Sequence, residues 1–122
     1  MKINVLLPVL FSILALMLGC SDVVSDEYST YAQAKEERLF DRGWLPDILP
    51  KSTLNIEVNN DLDANTSEGS FIINEPALSE FIAKLESSES TNEFHFVDGE
   101  NVWVFIVGED SVVNYTLNKR DD

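Results

Sequence analysis

The sequence has few of the residue types from which catalytic and metal sites are usually built. Its 122 residues include one cysteine and one histidine, so an intramolecular disulfide and a zinc site of several His and Cys ligands are both excluded. A catalytic histidine needs a nucleophile or an orienting acid nearby, and no G-x-S-x-G motif accompanies His95. We therefore interpret His95 as an ordinary strand residue, and we predict no catalytic residue, no metal and no cofactor.

Positive charge is also scarce. Eight Lys and Arg residues stand against 22 Asp and Glu residues, which gives a net charge of −14. A chain with this balance is repelled by nucleic acid and by anionic lipid headgroups, so we predict no nucleic-acid partner. The acidic residues are scattered along the chain, a pattern typical of a soluble surface or of a salty medium. The alternative is a protein partner with a cationic surface.

An uncharged run, residues 3–18, follows Lys2 and leads into Gly19 and Cys20, so that residues 16–20 read LMLGC. A basic start, an apolar run and a small residue at the exit are typical of a secretory signal peptide. Together with Gly19, Cys20 resembles the lipobox of bacterial lipoproteins. That resemblance implies cleavage before Cys20, acylation of its thiol and, with Ser21 next, sorting to the outer membrane. We expect the periplasmic face rather than the cell surface. The alternative is an uncleaved membrane anchor with an incidental cysteine.

The chain therefore divides into three predicted parts. Residues 1–19 are the lipoprotein signal peptide, residues 20–29 are a short polar tether, and residues 30–122 are a single α+β domain. Because Lys2 is lost with the signal peptide, 22 acidic residues then face 7 basic ones, a net charge of −15. A domain of this length can bury one modest hydrophobic core.

Hydrophobic patterning predicts an α+β fold with one antiparallel sheet of about five strands and two helices, in the order α-β-β-α-β-β-β. The predicted strands are residues 52–60, 70–74, 93–98, 101–107 and 111–118. The first pair is joined by a polar loop, which favours a hairpin. Asp98-Gly99 is a hairpin turn signal between the third and fourth strands.

Two segments predict helices. In residues 30–43, Thr30 and Gln33 form a capping box, and Gly43 lies where a helix commonly ends in a left-handed residue. Residues 75–90 follow Asn74 as a candidate cap. The apolar residues of this second helix form one stripe at helical spacing, Leu78, Phe81, Ile82 and Leu85.

The last three strands predict a sheet that is apolar on both faces. A three-residue loop at residues 108–110 pairs Val107 with Ser111, Phe105 with Val113 and Trp103 with Tyr115. One face then carries the aromatic residues, and we expect the second helix to cover it. The other face carries Val102, Val104, Ile106 and Val112. We expect either the first helix with residues 44–50, or a partner, to cover this second face.

Residues 42–50, RGWLPDILP, form what we call the Trp-Pro segment. It has two interpretations. As a docking surface, it presents Trp44, Leu45 and Ile48 to a partner groove, because the two prolines favour an extended backbone. As a clasp, it buries the same apolar side chains against the sheet. The clasp is the interpretation that we favour.

The Trp-Pro segment, with the sequence NNDLDANTSEGSFII that follows it, resembles a group of small bacterial proteins, many with signal or lipoprotein leaders. They share an R-G-W-[IL]-P-x-x-[IL]-P-x-S core, then a D-x-N element and a strand. The resemblance covers residues 42–73. It implies a common fold element and no particular reaction.

The loop after the first strand carries oxygen ligands at alternate positions, Asp61, Asp63 and Asn65, with Glu68 beyond. This spacing resembles the first half of a calcium loop. The glycine expected at the sixth position is Thr66, and the glutamate expected at the twelfth is Ile72. We therefore interpret the segment as an Asx-rich turn and predict no metal site.

These observations predict a non-enzymatic, membrane-anchored lipoprotein that acts as a binding or accessory module at the cell envelope. The first alternative is an inhibitor or immunity-type protein that masks a cationic enzyme or toxin. The second alternative is a hydrolase that uses carboxylates, which requires a cleft lined by two or more acids.

Overall fold

The computed structural model describes residues 22–120. Its elements are β1 (Val23–Thr30), α1 (Tyr31–Glu36), β2 (Leu54–Asp61), β3 (Thr66–Ile72), α2 (Ala77–Ile82), β4 (Glu86–Ser87), β5 (Glu93–Asp98), β6 (Asn101–Val107) and β7 (Val112–Lys119). A 3-10 turn, Glu109–Ser111, precedes β7. The protein is α+β, with one antiparallel sheet and two helices, as predicted.

The strand number and the element order differ from the prediction. Seven strands form the sheet rather than about five, and the order is β-α-β-β-α-β-β-β-β. The spatial order is β1-β2-β3-β7-β6-β5-β4, and every neighbouring pair is antiparallel. The last strand therefore lies at the centre, where β7 joins the first three strands to β6, β5 and β4.

Strand β1 occupies most of the segment that we predicted to be a tether. It pairs with β2 from Val23 opposite Asp61 to Thr30 opposite Leu54. Of its eight residues, Tyr28 alone is buried, so the sequence shows no hydrophobic alternation that would identify a strand. This edge strand is attached to the sheet by main-chain pairing with β2 and by the Tyr28 side chain, which is buried in the core. The folded domain accordingly begins at Val23 rather than at Thr30.

The first helix is shorter than predicted. The Thr30 side chain accepts from the Gln33 N–H at 3.1 Å, as predicted, and the Gln33 side chain accepts from the Ser29 N–H. The helix ends at Glu36, and Arg38, two residues later, has a φ of +65°. The Leu39 N–H donates to Ala34 O, and the Arg38 N–H donates to Lys35 O. This is the Schellman arrangement, and it directs Leu39 into the core.

The second helix is also shorter than predicted, because turns and the short strand β4 replace its last eight residues. The predicted cap, Asn74, is not the side chain that binds the helix start. Glu75 does so instead, since its Oε1 accepts from the Ser79 N–H at 2.8 Å. The predicted apolar stripe is confirmed, with Leu78 and Phe81 buried and the other two members packed against the core.

The register between β6 and β7 differs by two residues from the prediction. Val107 pairs with Val113, Phe105 with Tyr115 and Trp103 with Leu117. The connection spans residues 108–112 instead of three residues, and Asp110 and Ser111 within it have positive φ values. Because the shift is an even number of residues, every side chain stays on its predicted face.

Both helices and the Trp-Pro segment pack on one side of the sheet, which we call the covered face. Phe81 of α2 meets Phe105 and Phe71 edge-to-face, with centroids 5.3 and 6.1 Å apart. Leu39, Leu45 and Leu49 are buried in the same hydrophobic cluster. The α1 region and the Trp-Pro segment therefore do not cover the second face. Of the two covers that we expected for that face, the first helix with the Trp-Pro residues is wrong.

Candidate functional site

The candidate site is the sheet face opposite the core, which we call the open face. Strand alternation places these residues on it: Glu27; Glu57, Asn59 and Asp61; Thr66, Glu68 and Ser70; Glu86; Glu93, His95 and Val97; Val102, Val104 and Ile106; Asn114, Thr116 and Asn118. Within residues 22–120, no helix packs on this side. The face divides into an apolar part on β5 and β6 and a polar part on β2, β3 and β7.

The apolar part consists of Val97, Val102, Val104 and Ile106, which we call the apolar band. Val97 pairs with Val102 across the strands, and Val104 lies between Val102 and Ile106 on β6. Val97 is 39% exposed and Ile106 is 42% exposed, while the other two side chains are half-buried. Adjacent exposed aliphatic side chains on one surface are typical of a binding site rather than of random scatter.

The polar part contains a groove between β2, β3 and β7. One depression, of about 340 Å³, is lined by Glu57, Asn59, Glu68, Gly69, Ser70, Asn114, Tyr115 and Thr116. A second, of about 290 Å³, shares Asn59, Glu68 and Thr116 with the first and extends to Asp61 and Asn118. Because the two depressions are contiguous, they form one trough, which we call the acidic groove after its carboxylates Glu57, Asp61 and Glu68.

The curvature of β2 accompanies this groove. The pairing between β2 and β3 shifts register between Leu54 and Glu57, and Asn55 has a φ of +49°. Such a β-bulge increases the local twist and bends the strand, and asparagine tolerates the left-handed conformation better than most residues. The bulge also explains why Leu54 is 39% exposed, although it stands at alternate spacing with the buried Ile56 and Val58.

The carboxylates of the groove have no basic partner within the chain's described part. The ion pairs found in residues 22–120 are Lys35–Asp47, Arg38–Asp41 and His95–Glu93. None of the strand residues on the open face in that range is a lysine or an arginine. Glu57 and Glu68 are both exposed, so their oxygens are free to accept hydrogen bonds from a ligand.

Exposure of these two glutamates affects what they can do chemically. A general acid usually has a pKa raised by burial, and neither Glu57 nor Glu68 lies in an enclosed cleft. Carboxylate, amide and hydroxyl oxygens that surround an open groove suit recognition of an ammonium or guanidinium group.

His95 lies on β5, on the side of the apolar band that is away from the acidic groove. It pairs with Val104, and its Nε2 lies 3.0 Å from Oε2 of Glu93 on the same strand. This contact gives the histidine a polar partner at the surface. Among the described residues, the hydrogen-bond partner of its side chain is Glu93.

The three residues predicted as a partner surface lie against the core. Leu45 is fully buried, and Trp44 and Ile48 are half-buried and packed on the hydrophobic cluster. The indole N–H of Trp103 donates to the main-chain oxygen of Trp44 at 3.0 Å. This geometry corresponds to the clasp interpretation of the Trp-Pro segment, and it leaves only parts of Trp44 and Ile48 accessible.

The loop that resembles half of a calcium site is closed by its own hydrogen bonds. Asp61 Oδ1 accepts from the N–H groups of Asp63 and Ala64, both at 3.1 Å, as in an Asx turn. The pKa of Asp63 is raised by a hydrogen bond with the Asp22 side chain, and to a lesser extent by desolvation and by the charge of Asp61. Across the described range, no group of three or more His, Cys, Asp or Glu side chains has a geometry suited to a metal ion.

The predicted lipidation residue, Cys20, lies outside the residues that the structure describes, as does the predicted signal peptide. Within the described range, 22–120, no helix has the length and apolar character needed to span a bilayer. The strand that follows Cys20 begins at Val23, so two residues separate the predicted lipidation site from the sheet.

Comparison with known proteins gives one match. A family described as the YbbD head domain matches residues 22–72, which contain β1, α1, the Trp-Pro segment, β2 and β3. The match ends before α2 and excludes β5, β6 and β7, which carry the apolar band and one wall of the acidic groove. No curated protein and no solved structure matches the chain.

The open face contains functional candidates that the sequence did not single out. The apolar band was predicted as a face in need of a cover, because β6 has no polar residue between Val102 and Val107. Glu57 was not distinguished from the other acidic residues, and Glu68 was considered only as part of the loop that resembles half of a calcium site. That the two glutamates lie beside one groove depends on the pairing of β2 with β3 and of β3 with β7.

Proposed function

We propose that the protein is a non-enzymatic lipoprotein, anchored through Cys20 and acting as a binding or accessory module at the cell envelope. The observation that carries the binding role is the open face, where exposed aliphatic side chains lie beside an acidic groove. The anchor is proposed from the lipobox-like sequence, on the periplasmic face of the outer membrane.

The position of β1 supports a role close to a membrane. With only Ser21 and Asp22 between Cys20 and β1, an acylated Cys20 holds the start of the sheet within about 10 Å of the lipid headgroups. Several acyl chains on one cysteine give stable anchoring, whereas one chain does not. The function that we propose therefore operates at the membrane surface, on partners that reach it.

The anchor is tested by mass spectrometry of the amino-terminal peptide and by cell fractionation. We expect the mature chain to begin at an acylated Cys20, and the Cys20→Ala variant to leave the membrane fraction. A mature chain that retains residues 1–19, or a Cys20→Ala variant that is processed and fractionates like the parent, would contradict the proposal.

The binding role is tested by photo-crosslinking in intact cells. A photoreactive residue at Ser70 lies on the open face, and one at Glu80 of α2 lies on the exposed side of the helical layer as a matched control. We expect a discrete crosslinked species from position 70 and none from position 80. Absence of any species from the open face, with the protein correctly anchored, would count against a binding module.

A second candidate function is the inhibitor or immunity-type protein that masks a cationic enzyme or toxin. It is favoured by the concentration of unpaired carboxylates on the open face. The discriminating measurement is activity: the partner crosslinked at position 70 should be an enzyme or toxin whose activity falls on binding. A partner that keeps its full activity in the complex would favour the accessory role.

A further inference from the structure

The proposed binding role leaves open what kind of partner the open face takes. Both parts of the face are needed to answer this, because they have opposite chemistry. Contact with water is unfavourable for the apolar band, and burying the band against a partner stabilises the complex. The acidic groove is stable in water but carries uncompensated negative charge.

The distribution of positive charge over the two sides of the sheet is strongly unequal. Within residues 22–120, the open face carries six acidic strand residues and no lysine or arginine. The Lys119 side chain donates a hydrogen bond to Asn101, and both residues alternate with residues of the covered face. The other basic residues lie in the helices and loops or after β7: Lys35, Arg38, Arg42, Lys51, Lys84 and Arg120. An incoming cation therefore meets an attractive field on the open face with no competing positive charge on its strands.

This charge excludes three occupants that an exposed apolar band would otherwise suit. A second copy would bring the same six carboxylates against the first, because a two-fold interface joins like surfaces. Anionic lipid headgroups and nucleic acid would be repelled in the same way. A cationic protein segment is the occupant for which burial of the apolar band and attraction to the carboxylates both stabilise the complex.

We propose that the open face binds a protein segment that carries lysine or arginine side chains beside apolar ones. The cationic groups lie in the acidic groove between Glu57 and Glu68, and the apolar groups lie on the band formed around Val104 and Ile106. This inference rests on the proposed function, since it names the partner class for the same face.

The sheet order sets the spacing that such a segment needs. Strand β7 separates β3 from β6, so Glu68 on β3 and the apolar band on β6 lie two strand spacings apart, about 10 Å. An extended segment that crosses the strands covers this distance in about three residues. A helix covers it in about seven residues.

The test uses the mature, full-length protein in detergent and three short synthetic peptides. The first has lysines about three residues from leucines, the second has glutamate in place of lysine, and the third has serine in place of leucine. Binding is measured by titration at low and at high salt, and amide chemical shifts identify the face. We expect the first peptide alone to bind, with affinity that falls as salt rises and with shifts in β3, β6 and β7.

Matched variants distinguish binding by the carboxylates of the open face from attraction to the overall negative charge of the protein. The double change Glu57→Gln and Glu68→Gln should weaken binding by about tenfold, since each exposed ion pair contributes up to about threefold to fivefold. The same charge change at Glu36 and Glu37, in and just after α1, should leave affinity within about twofold, because those residues lie on the covered side. Val104→Thr with Ile106→Thr tests the band and keeps β-branched side chains in the strand.

Three results would overturn the proposal: equal binding of the glutamate peptide, equal loss in both pairs of glutamine variants, or a dimer formed through the open face. The cell crosslinking experiment stands apart from these results. A partner crosslinked at position 70 whose binding ignores Glu57 and Glu68 would leave the binding role intact and contradict only the cationic chemistry.

Discussion

Gly69 of β3 lies close against the backbone of β2, opposite Val58. A Cβ atom added at this position would lie 1.9 Å from the main-chain oxygen of Glu57 and 3.0 Å from the ring of Tyr115. Because backbone atoms cannot move away as a flexible side chain can, glycine is required here by contact rather than by an unusual φ. The same close approach forms part of the wall of the acidic groove.

Gly69→Ala is therefore expected to destabilise the protein by about 3 kcal/mol, at the upper end of the range for overpacking. Gly99→Ala is the matched control. Gly99 has a φ of +61°, and a methyl group added there would have no atom within 4 Å, so its cost should be only about 1 kcal/mol from backbone strain. Urea unfolding of both variants measures the difference. Equal costs would show that the strands separate freely at Gly69.

The Trp-Pro segment gives a second prediction at the residue scale. Leu45 is fully buried, so Leu45→Ala should lower the free energy of unfolding by about 2–5 kcal/mol. Trp44→Ala should cost about 2–3 kcal/mol, because the indole is only half-buried and the main-chain oxygen still accepts from Trp103. Leu62→Ala, at a side chain that is 54% exposed, should change stability by less than about 0.5 kcal/mol.

Thermal or urea unfolding decides between the two interpretations of this segment. The clasp requires that Leu45→Ala and Trp44→Ala both destabilise the domain. If Trp44→Ala left stability unchanged and abolished crosslinking to a partner, the docking interpretation would be correct instead.

At the scale of elements, β1 differs most from what its sequence indicates. It is an edge strand with one neighbour, β2, and its core contact comes from Tyr28, whose hydroxyl accepts from Arg42 at 3.1 Å. Edge strands with charged residues resist pairing with other chains, and Asp26 and Glu27 give β1 this character. Its proximity to the predicted anchor means that the edge lies next to the membrane in the proposed lipoprotein.

Hydrogen exchange tests whether β1 is a strand in solution. In an edge strand only every second N–H points to the neighbouring strand, so we expect alternate amides of Val23–Thr30 to be protected. In β7, which has neighbours on both sides, consecutive amides should be protected. Uniformly fast exchange from Val23 to Thr30 would restore the tether that the sequence suggested.

At the scale of the whole molecule, alkaline pH acts on the core through its tyrosines. Burial raises the pKa of the Tyr115 hydroxyl far above its ordinary value of 10.0, although the hydrogen bond with Ser67 opposes the shift. Burial, followed by the hydrogen bond with Asp47, also raises the pKa of Tyr31. Both hydroxyls are therefore protonated in the native state at pH values where the unfolded chain ionises.

We expect stability to decrease above about pH 10, where the unfolded chain binds fewer protons than the native state. Tyr115 alone contributes a slope of about −1.4 kcal/mol per pH unit between its unfolded and native pKa values. Urea unfolding between about pH 9 and pH 11 measures this slope, and Tyr115→Phe is the control because it removes the ionisable group. An equal slope in the variant would show that Tyr115 does not control the alkaline transition.

Short-range patterns alone determined several features of this protein. The alternation in β5, β6 and β7 identified the aromatic face, the turn at Asp98-Gly99 was confirmed, and the stripe on α2 was confirmed. These signals need only a few neighbouring residues, because side-chain direction repeats every two residues in a strand and about every 3.6 in a helix. The lipobox-like sequence and the charge balance belong to the same class of information.

Only the tertiary structure decided which elements meet. The pairing of β7 with β3, the strand at Val23–Thr30 and the packing of the Trp-Pro segment on the covered face all depend on residues far apart in the chain. Hydrophobicity is not directional, so the sequence predicted two apolar faces without indicating which one the helices and the Trp-Pro segment would cover. The single layer of helices covers the aromatic face, and Val104 and Ile106 remain on the open face beside the acidic groove.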